Sequence, residues 1–518
     1  MSRSKKDIIL TVDVGTGSVR AMTFDTTGKI IARDYKKSSI YQDHFNWATQ
    51  KPDEILQSLL EVCRNVISES RLKGGEDILG WTISTYYHSL ILVDKYGNPL
   101  SDVITWADLR SHRQVEEIKR RYDTSKLYSK TGCPVHPMYP FSKLIWFKEN
   151  TDTLDKNTYI CSLKDYLLYK LFGELLIDEA IASTLGLLNI NHLEWDKDIL
   201  DIIKIPVERL STVVPSNTII KGDRLKKEYR EFIGLKEETP FIVGAGDGVL
   251  SNLGMGMIEE KDLGIMIGTS GAIRTFFQKP ILDERQRVWC YYFTDGLWVI
   301  GGAINNGGIV LKWLRDNIFQ DLVKKGESSR IDPYELIMDE ISSVPPGCYG
   351  MIALPFLTGE RSPFWNDKAQ GTILGLGLNH NRASLARAMI EGVCYRMYSV
   401  YTALKDTTKI EKFKDIRAGG GFSRSKIWLQ IMADVFNEVI TVPTLEESTS
   451  LGAMILTAWS LGIIDSLREA KKIVKIKETI HPNPQNHSVY QRLFNIYITA
   501  YNSLEDTFKE IASFKEEL

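Results

Sequence analysis

The sequence predicts a duplicated α/β fold, because one pattern of strands and small-residue turns occurs twice and helical segments lie between the strands. The first copy has an apolar strand that ends at Asp13, a turn over residues 15–18 and a second strand through Phe24. The second copy, LGIMIGTSGAIRTFF, has a strand, a turn over residues 268–271 and a further strand, and another strand follows from Leu297. Two halves that open in the same way indicate two related domains.

Three amphipathic segments between the strands predict helices over residues 53–70, 384–404 and 426–437. A strand pair within residues 81–94 is expected to extend the first sheet. The segment from Ser466, in which Lys and Glu alternate with apolar residues, is expected to form terminal helices. Alternating strands and helices are typical of α/β proteins.

The length of 518 residues predicts two or three hydrophobic cores rather than one. With 43% hydrophobic and 25% charged residues, the composition is that of ordered globular domains. The natural boundary falls near residues 254–261, after a glycine-rich turn and before the second copy of the strand pattern. We therefore predict domains over residues 1–255 and 256–470, followed by a C-terminal helical segment over residues 471–518.

The charge balance and the cysteine content exclude several classes of ligand and indicate the compartment of the protein. Lys plus Arg number 64 against 66 Asp plus Glu, so the net charge is -2 and no basic surface for nucleic acid or an anionic membrane is expected. The six cysteines are far apart, without a CxxC pair, which favours reduced thiols over a zinc site. The apolar run after the N-terminal MSRSKK is too short for a signal peptide or a membrane span. We expect a cytoplasmic protein.

The two turns have the composition of a phosphate site, because glycine lets a ligand approach backbone amides and Thr or Ser hydroxyls add donors. Asp13, two residues before the first glycine, is suited to hold a hydrated Mg²⁺. A plain hairpin turn is the alternative for each loop. The sequence has neither a P-loop nor a dinucleotide fingerprint, which indicates a nucleotide site of another kind.

Two further glycine-rich segments carry candidate residues. In GAGDGVLSNLG, Asp247 lies between two glycines and could take a proton from an attacking hydroxyl, although Asp-Gly is also a common turn. In AGGGFSRS, the glycines Gly420 and Gly421 and the later Ser425 precede an amphipathic helix, where a phosphate or a flat ligand could lie on the backbone. Tight packing of strand against helix is the alternative for this cluster.

Four segments resemble blocks of the FGGY carbohydrate kinases, and the resemblance covers nearly the whole chain. Within MYPFSKLIWFKEN, the positions that match the first family signature are Pro140, Lys143, Trp146, Glu149 and Asn150. GGGFSRSKIWLQIMADVFNEVI resembles the second signature, and FLTGERSPFWN and LEESTSLGAMILTAW are similar to two further blocks. Signatures of this length rarely arise by chance.

The resemblance implies two ribonuclease H-like domains of the actin, Hsp70 and hexokinase type, with ATP in the cleft between them and a sugar or polyol beneath it. It assigns Asp247 as the catalytic base and Asp13 to Mg²⁺, and it places the sugar side in the N-terminal domain. Together with the loops described above, it implies an ATP site formed by Gly15, Thr16, Gly17, Ser18, Gly268, Thr269, Gly308, Lys312, Gly420, Gly421 and Ser425.

The sugar side implied by the family comprises the loop YYHS, residues 86–89, and the segment TWADLR, residues 105–110. At the position of the YYHS loop, glycerol kinases carry an Arg-Glu pair, whereas YYHS is closer to the Met-His-Gly of xylulokinases. Glycerol is therefore disfavoured as the substrate. His88 in this loop is a candidate, and His136 is a further one. Trp106, Asp108 and Arg110 resemble substrate-side residues, Asp108 as an acceptor from sugar hydroxyls, with surface turn residues as the alternative.

The segments GTSGAIRTFF and WVIGGAINNGGIVLKWLRD resemble those of the gluconate kinase branch. Arg274 is informative, because a guanidinium binds a carboxylate through two hydrogen bonds; the alternative is that it pairs with a neighbouring acid. We expect ATP- and Mg²⁺-dependent phosphorylation of a sugar acid, D-gluconate to 6-phosphogluconate. The alternatives are a xylulokinase or related pentulose or alditol kinase, and a non-catalytic actin- or Hsp70-like ATPase. A homodimer stays open.

Overall fold

The computed structural model of the protein describes residues 6–44 and 46–517, so the first five residues of the basic N-terminal segment lie outside the described part. The chain divides into two compact units, each built from several segments. The first unit comprises the described residues up to Glu259, Phe276–Ile300 and Glu447–Val474, and the second comprises Glu260–Thr275, Gly301–Glu446 and the described residues from Lys475. The predicted boundaries at 255 and 470 stay a prediction.

The strands of the described residues range from two to eleven residues in length. In chain order they are β1 (Lys6–Val14), β2 (Ser18–Asp25), β3 (Ile30–Lys37), β4 (Thr49–Gln50), β5 (Gly75–Thr85), β6 (Ile91–Val93), β7 (Val103–Ile104), β8 (Tyr159–Cys161), β9 (Leu176–Asp178), β10 (Leu188–Asn189), β11 (Glu194–Trp195), β12 (Thr212–Val214), β13 (Ile219–Ile220), β14 (Phe241–Ile242), β15 (Asp262–Ile267), β16 (Gly271–Phe277), β17 (Trp289–Thr294), β18 (Leu297–Ile304), β19 (Ile352–Leu354), β20 (Thr372–Leu374), β21 (Asp415–Gly419), β22 (Ile440–Pro443) and β23 (Ile476–Ile480).

Helices follow most of the strands. In chain order they are α1 (Pro52–Leu72), α2 (His112–Arg121), α3 (Thr124–Thr131), α4 (Pro140–Asn150), α5 (Leu163–Phe172), α6 (Glu179–Ala182), α7 (Lys197–Ile203), α8 (Lys227–Ile233), α9 (Asp247–Gly254), α10 (Gly308–Asn317), α11 (Gln320–Ser329), α12 (Pro333–Ser342), α13 (Arg382–Thr408), α14 (Lys426–Phe436), α15 (Ser448–Ser460), α16 (Ala470–Ile473), α17 (Pro484–Ser503) and α18 (Glu505–Glu517). Within the described ranges, none of them combines the length and the apolar character that crossing a bilayer requires.

The first unit is built on a six-stranded sheet with the order β13-β14-β5-β1-β2-β3. β1 pairs antiparallel with β2 and parallel with β5, and β14 runs parallel to β5. Because parallel strands end at the same edge of a sheet, the carboxyl ends of β1, β5 and β14 lie side by side. The residues that follow these three strands are therefore neighbours.

The second unit repeats this arrangement. Its strands follow the order β18-β16-β15-β21-β22-β23, in which β15 pairs antiparallel with β16 and parallel with β21, and β21 runs parallel to β22. Thus β15 and β21 stand where β1 and β5 stand in the first unit. The predicted duplication of an α/β fold is confirmed.

The three predicted helices are confirmed as α1, α13 and α14. On α1, the buried residues Ile55, Leu59, Val62 and Val66 recur every three or four positions, so they share one face that packs into the core of the first unit. α13 begins with a capping box in which Asn381 and Ser384 bond each other's backbone N–H groups. These local signals, rather than long-range contacts, explain why the helix predictions succeed.

Three strand predictions need correction. The segment predicted to extend the first sheet yields β5, which joins it, and β6, which pairs instead with β8. The segment expected to form only terminal helices also contains β23, which pairs with β22. β17, between the predicted strands of the second copy, was not expected. Short strands give weak periodicity, and their pairing partners are set by contacts distant in sequence.

Candidate functional site

Asp13 lies in β1, one residue before the strand ends. Its carboxylate is buried, accepts a hydrogen bond from Ser84 Oγ at 2.7 Å, and lies 3.7 Å from the guanidinium of Arg20. Burial raises the pKa of this carboxyl, and Arg20 and Ser84 oppose that effect. No cluster of three metal-ligating side chains occurs among residues 6–44 and 46–517. A single carboxylate fits Mg²⁺, which takes few protein ligands and keeps several waters.

The first small-residue loop is a closed hairpin turn, in which Gly15 N–H donates to Ser18 O at 3.0 Å. Gln50 Nε2 donates to Thr16 O at 3.0 Å, and Ser38 N–H donates to Gly17 O at 3.1 Å. Holding these two carbonyls fixes the orientation of the peptide units of the loop. The loop is therefore a hairpin turn, as the alternative predicted. A hairpin turn can also bind a phosphate, so the phosphate site stays a prediction.

Arg20 is a candidate that the sequence reasoning missed. Its Nε donates to Ser18 Oγ at 2.9 Å, and its Nη1 lies 3.4 Å from the carboxylate of Glu447 and 3.7 Å from that of Asp13. Arg20 pairs directly with Asp13 across β1 and β2, so both side chains leave the same face of the sheet. The register of the predicted hairpin was the signal that could have found it.

Asp247 is the first residue of α9 and is half-buried, so the turn alternative is wrong for this residue. The preceding Gly246 bridges to Thr85 at the end of β5, and a Cβ at Gly246 would lie 2.0 Å from the Tyr87 ring. Only glycine fits there. Burial, with the charge of Asp247, raises the pKa of the neighbouring Tyr86 hydroxyl.

Helix α9 is held against α15 by close backbone packing. A Cβ on Gly254 would lie 1.8 Å from Ser448 O, and one on Gly452 would lie 1.9 Å from Leu250 O. Both glycines let the two helices approach, which fixes the axis of α9 and with it the position of Asp247. Asp13 thus lies near the end of β1 and Asp247 follows β14, on either side of β5, at one edge of the first sheet.

The second small-residue loop contacts the start of α10. Gly308 N–H donates to Gly268 O at 2.7 Å, and Ile309 N–H donates to Thr269 O at 3.1 Å. A Cβ at Gly308 would lie 2.5 Å from Gly268 O, so this contact needs glycine. The structure therefore brings Gly268, Thr269 and Gly308 together, as a shared ATP site requires. Lys312 is exposed, one turn further along α10.

The third glycine cluster adjoins the same loop. Gly420 has φ 89°, and a Cβ there would lie 2.5 Å from Ile267 O, which supports tight packing as its role. Gly421 faces open space, where a ligand could lie. Ser425 is the N-cap of α14 and accepts a hydrogen bond from Trp428 N–H at 3.2 Å. Tight packing is thus observed at Gly420, and a ligand at Gly421 stays a prediction.

His88 is buried in the first unit and has φ 60°, unusual for a residue other than glycine. Its Nδ1 donates to Thr184 O at 2.7 Å, so in the neutral ring Nε2 is an acceptor. The rings of Tyr139 and Tyr291 lie 4.9 Å and 5.8 Å from the imidazole ring. The surroundings orient His88 and leave it suited to accept from a hydroxyl group.

Asp108 and Arg110 form a buried pair, so the alternative of surface turn residues is wrong for them. Arg110 Nε and Nη2 donate to the two carboxylate oxygens at 2.9 Å and 2.8 Å, and the N–H groups of Ala48 and Arg110 also donate to them. Four hydrogen bonds occupy nearly all acceptor positions of a carboxylate. The role of Asp108 as an acceptor from the sugar stays a prediction, and Arg110 is a donor that the pair can also offer. Arg110 also stacks on Trp47 at 3.7 Å.

The remaining sugar-side candidates differ in their placement. Trp106 is half-buried against the core of the first unit, and His136 Nδ1 accepts a hydrogen bond from Met138 N–H at 3.1 Å. Arg274 is half-buried on β16, opposite Gly264, and belongs to the second unit. The other sugar-side candidates belong to the first unit, whereas Arg274 belongs to the second.

Lys143 is a second residue whose role the sequence reasoning missed, although it matches the first signature. It lies on α4 with no exposed surface, and its Nζ donates to Thr105 O at 2.6 Å and Met138 O at 3.0 Å. Burial lowers the pKa of this amine to about 7, with Asp108 opposing and Arg110 adding to the effect.

We expect the free energy of unfolding of wild type, relative to that of Lys143→Met, to rise as pH rises from about 7 to about 10.5. In that window the unfolded chain holds a proton on Lys143 that the folded chain does not, so raising the pH stabilises the fold. The slope is at most about 1.4 kcal/mol per pH unit, and it vanishes below pH 7, where both states are protonated. Urea midpoints of both proteins at several pH values measure it. Parallel pH profiles would contradict the prediction.

Comparison with known proteins identifies the two halves. Residues 8–254 match the N-terminal domain of the FGGY family of carbohydrate kinases, and residues 263–461 match its C-terminal domain. A gluconokinase of Bacillus licheniformis is 35% identical over 98% of both chains. A ligand-bound xylulose kinase from Lactobacillus acidophilus superposes with TM-score 0.90 at 32% identity, covering 98% of this chain and all of the other. A gluconate kinase from the same organism gives TM-score 0.89 at 31% identity with the same coverage.

Proposed function

Because the chain belongs to the FGGY family of carbohydrate kinases, we propose that it transfers the γ-phosphoryl group of ATP to the terminal hydroxyl of D-gluconate, giving 6-phosphogluconate and ADP. The observation that carries the choice of sugar is the similarity to a gluconokinase over 98% of both chains. The similarity to xylulose kinases keeps a pentulose as the second candidate. Both candidates make the chain a phosphotransferase that acts on an alcohol group.

The reaction needs a base for the attacking hydroxyl. The sugar oxygen forms a bond to the γ-phosphorus, the bond from that phosphorus to the bridging oxygen breaks, and ADP leaves with the electron pair. The hydroxyl proton passes to the carboxylate of Asp247. Its place at the N-terminus of α9 favours the ionised form, which can accept that proton.

Each unit, taken by itself, offers groups suited to ATP. In the first, the hydroxyls of Thr16 and Ser18 and the guanidinium of Arg20 suit phosphate oxygens. In the second, Thr269 and Gly421 suit the phosphates and the nucleoside, beside the other glycines described above. Asp13 would hold a hydrated Mg²⁺, which when bound neutralises charge on phosphate oxygens. These assignments rest on the side chains and their surroundings.

For the sugar, the first unit offers an acceptor and a donor, and the second unit offers a cation. His88 Nε2 suits a sugar hydroxyl, and Trp106 offers an apolar surface to the carbon chain. Arg110, already oriented by Asp108 and Trp47, offers a donor. Arg274 suits the carboxylate of an aldonate, a group that a neutral ketose lacks.

A coupled assay of ADP release over gluconate, xylulose, ribulose, glycerol and erythritol tests the assignment. We expect the highest kcat/KM with gluconate and little activity with glycerol. A higher kcat/KM with xylulose would move the assignment to the second candidate. ADP release that no sugar stimulates would favour the non-catalytic ATPase.

The cytoplasmic location is supported by the six cysteines, all of which are buried free thiols, as a reducing compartment permits. A homodimer stays a prediction, which the mass of the protein in solution would test.

A further inference from the structure

We propose that Lys143 is a positioning residue for the sugar, because its buried amine joins the two loops of the first unit that carry Arg110 and His136. The inference rests on the proposed function for the identity of the sugar and for the places of Arg110 and His136 beside it. Lys143 itself is fully buried, so it acts through the backbone groups that it holds.

The two bonds of Lys143 connect segments that are distant in sequence. Lys143 is in the first turn of α4, and its Nζ donates to Thr105 O at 2.6 Å and to Met138 O at 3.0 Å. Thr105 opens the segment that contains Trp106 and Arg110. Met138 follows His136 within the other segment. One side chain thus sets the spacing of both loops.

The Thr105 side of this connection leads directly to Arg110. Thr105 N–H and Oγ1 both donate to Ala48 O, at 3.0 Å and 2.9 Å. Ala48 N–H in turn donates to Asp108 Oδ2 at 2.8 Å, and Asp108 holds Arg110 through two hydrogen bonds. A shift of the Thr105 peptide would therefore move the carboxylate that orients the Arg110 guanidinium.

The Met138 side leads to His136. The N–H of Met138 donates to His136 Nδ1 at 3.1 Å, while its carbonyl accepts from Lys143. His136 O in turn accepts a hydrogen bond from Ser142 Oγ at 3.4 Å, one residue before Lys143. The N–H and the carbonyl of Met138 are thus both hydrogen-bonded. Because Nδ1 of His136 accepts, the neutral ring carries its proton on Nε2.

The energetics favour a specific role over general stabilisation. Both acceptors of Lys143 are neutral carbonyls, so the buried amine gains no direct ion pair from them. An apolar side chain of similar length would fill the same space without the desolvation penalty of an amine. Compared with such an apolar side chain, the amine of Lys143 adds one hydrogen bond to each of the two loops.

The test compares Lys143→Met with wild type in steady-state assays in which gluconate and ATP are varied separately. We expect KM for gluconate to rise roughly 10- to 150-fold, the effect of losing the charge-assisted hydrogen bond of a displaced Arg110 to the sugar, while KM for ATP stays within about twofold. A role in folding alone would lower the active fraction, and hence kcat, without changing one KM selectively. Equal changes in both KM values, or no change in either, would overturn the proposal.

Lys148→Met is the matched control. Lys148 lies on the same helix and also donates to a backbone carbonyl, Ile203 O at 3.2 Å, but that carbonyl belongs to neither loop. We expect wild-type KM values for it. If Lys143→Met does not fold, Lys143→Gln, which keeps a donor and a polar head, is expected to fold with a smaller rise in KM for gluconate. An unchanged KM in that variant would also overturn the proposal.

The outcome is separable from the proposed function. If wild type prefers xylulose, the gluconate assignment is wrong, and the same comparison with xylulose still decides the role of Lys143. If wild type prefers gluconate and the Lys143 variants change neither KM, the proposed function stands and the positioning role fails.

Discussion

Asp247→Asn lowers kcat with the preferred sugar by about 10²- to 10⁴-fold and leaves ATP affinity close to that of wild type. The amide has the size of the carboxylate, so α9 and the tight contact of Gly246 with Tyr87 are preserved. It cannot take the proton of the attacking hydroxyl. Turnover from ADP release, together with ATP affinity from direct binding, measures both parts of the expectation.

Asp198→Asn is the control for this variant, since Asp198 is also an acid in the first turn of a helix of the first unit but is exposed. We expect wild-type turnover from it. Turnover of Asp247→Asn within a few-fold of wild type would remove Asp247 as the base and leave it a helix-terminal acid.

Arg274→Leu raises KM for gluconate by roughly 10- to 150-fold and leaves the weak activity on neutral polyols unchanged. The size follows from the loss of a charge-assisted hydrogen bond, about 1.5 to 3 kcal/mol. Arg274→Lys recovers only part of the loss, because an ammonium cannot make the paired contact with a carboxylate. Kinetics with gluconate and with erythritol, compared for the three proteins, measure the effect.

Arg417→Leu is the matched control for position in the sheet. Arg274 and Arg417 both pair with Gly264 of β15, one from each side, and Arg417 is bound to Asp415 at 2.9 Å. We expect Arg417→Leu to change stability without discriminating between acidic and neutral sugars. If Arg274→Leu loses activity on all sugars equally, Arg274 serves the fold or ATP, and xylulose becomes an equal candidate.

The sequence alone determined the features that depend on neighbours along the chain. The repeated strand-turn-strand pattern determined the duplicated α/β fold, and the three amphipathic segments determined α1, α13 and α14 to within a few residues. The family signatures determined the kinase family. Turn chemistry, helical periodicity and long motifs are local, so they can be seen without the fold.

Only the tertiary structure decided which groups meet. It paired β6 with β8, placed Arg20 between Asp13 and Glu447, and placed the carboxylate of Asp108 where it holds Arg110. These pairings join residues that, apart from Asp13 with Arg20 and Asp108 with Arg110, are distant in sequence. A buried polar group must find a hydrogen-bond partner, and which one it finds depends on the packing of whole elements, which no single segment encodes.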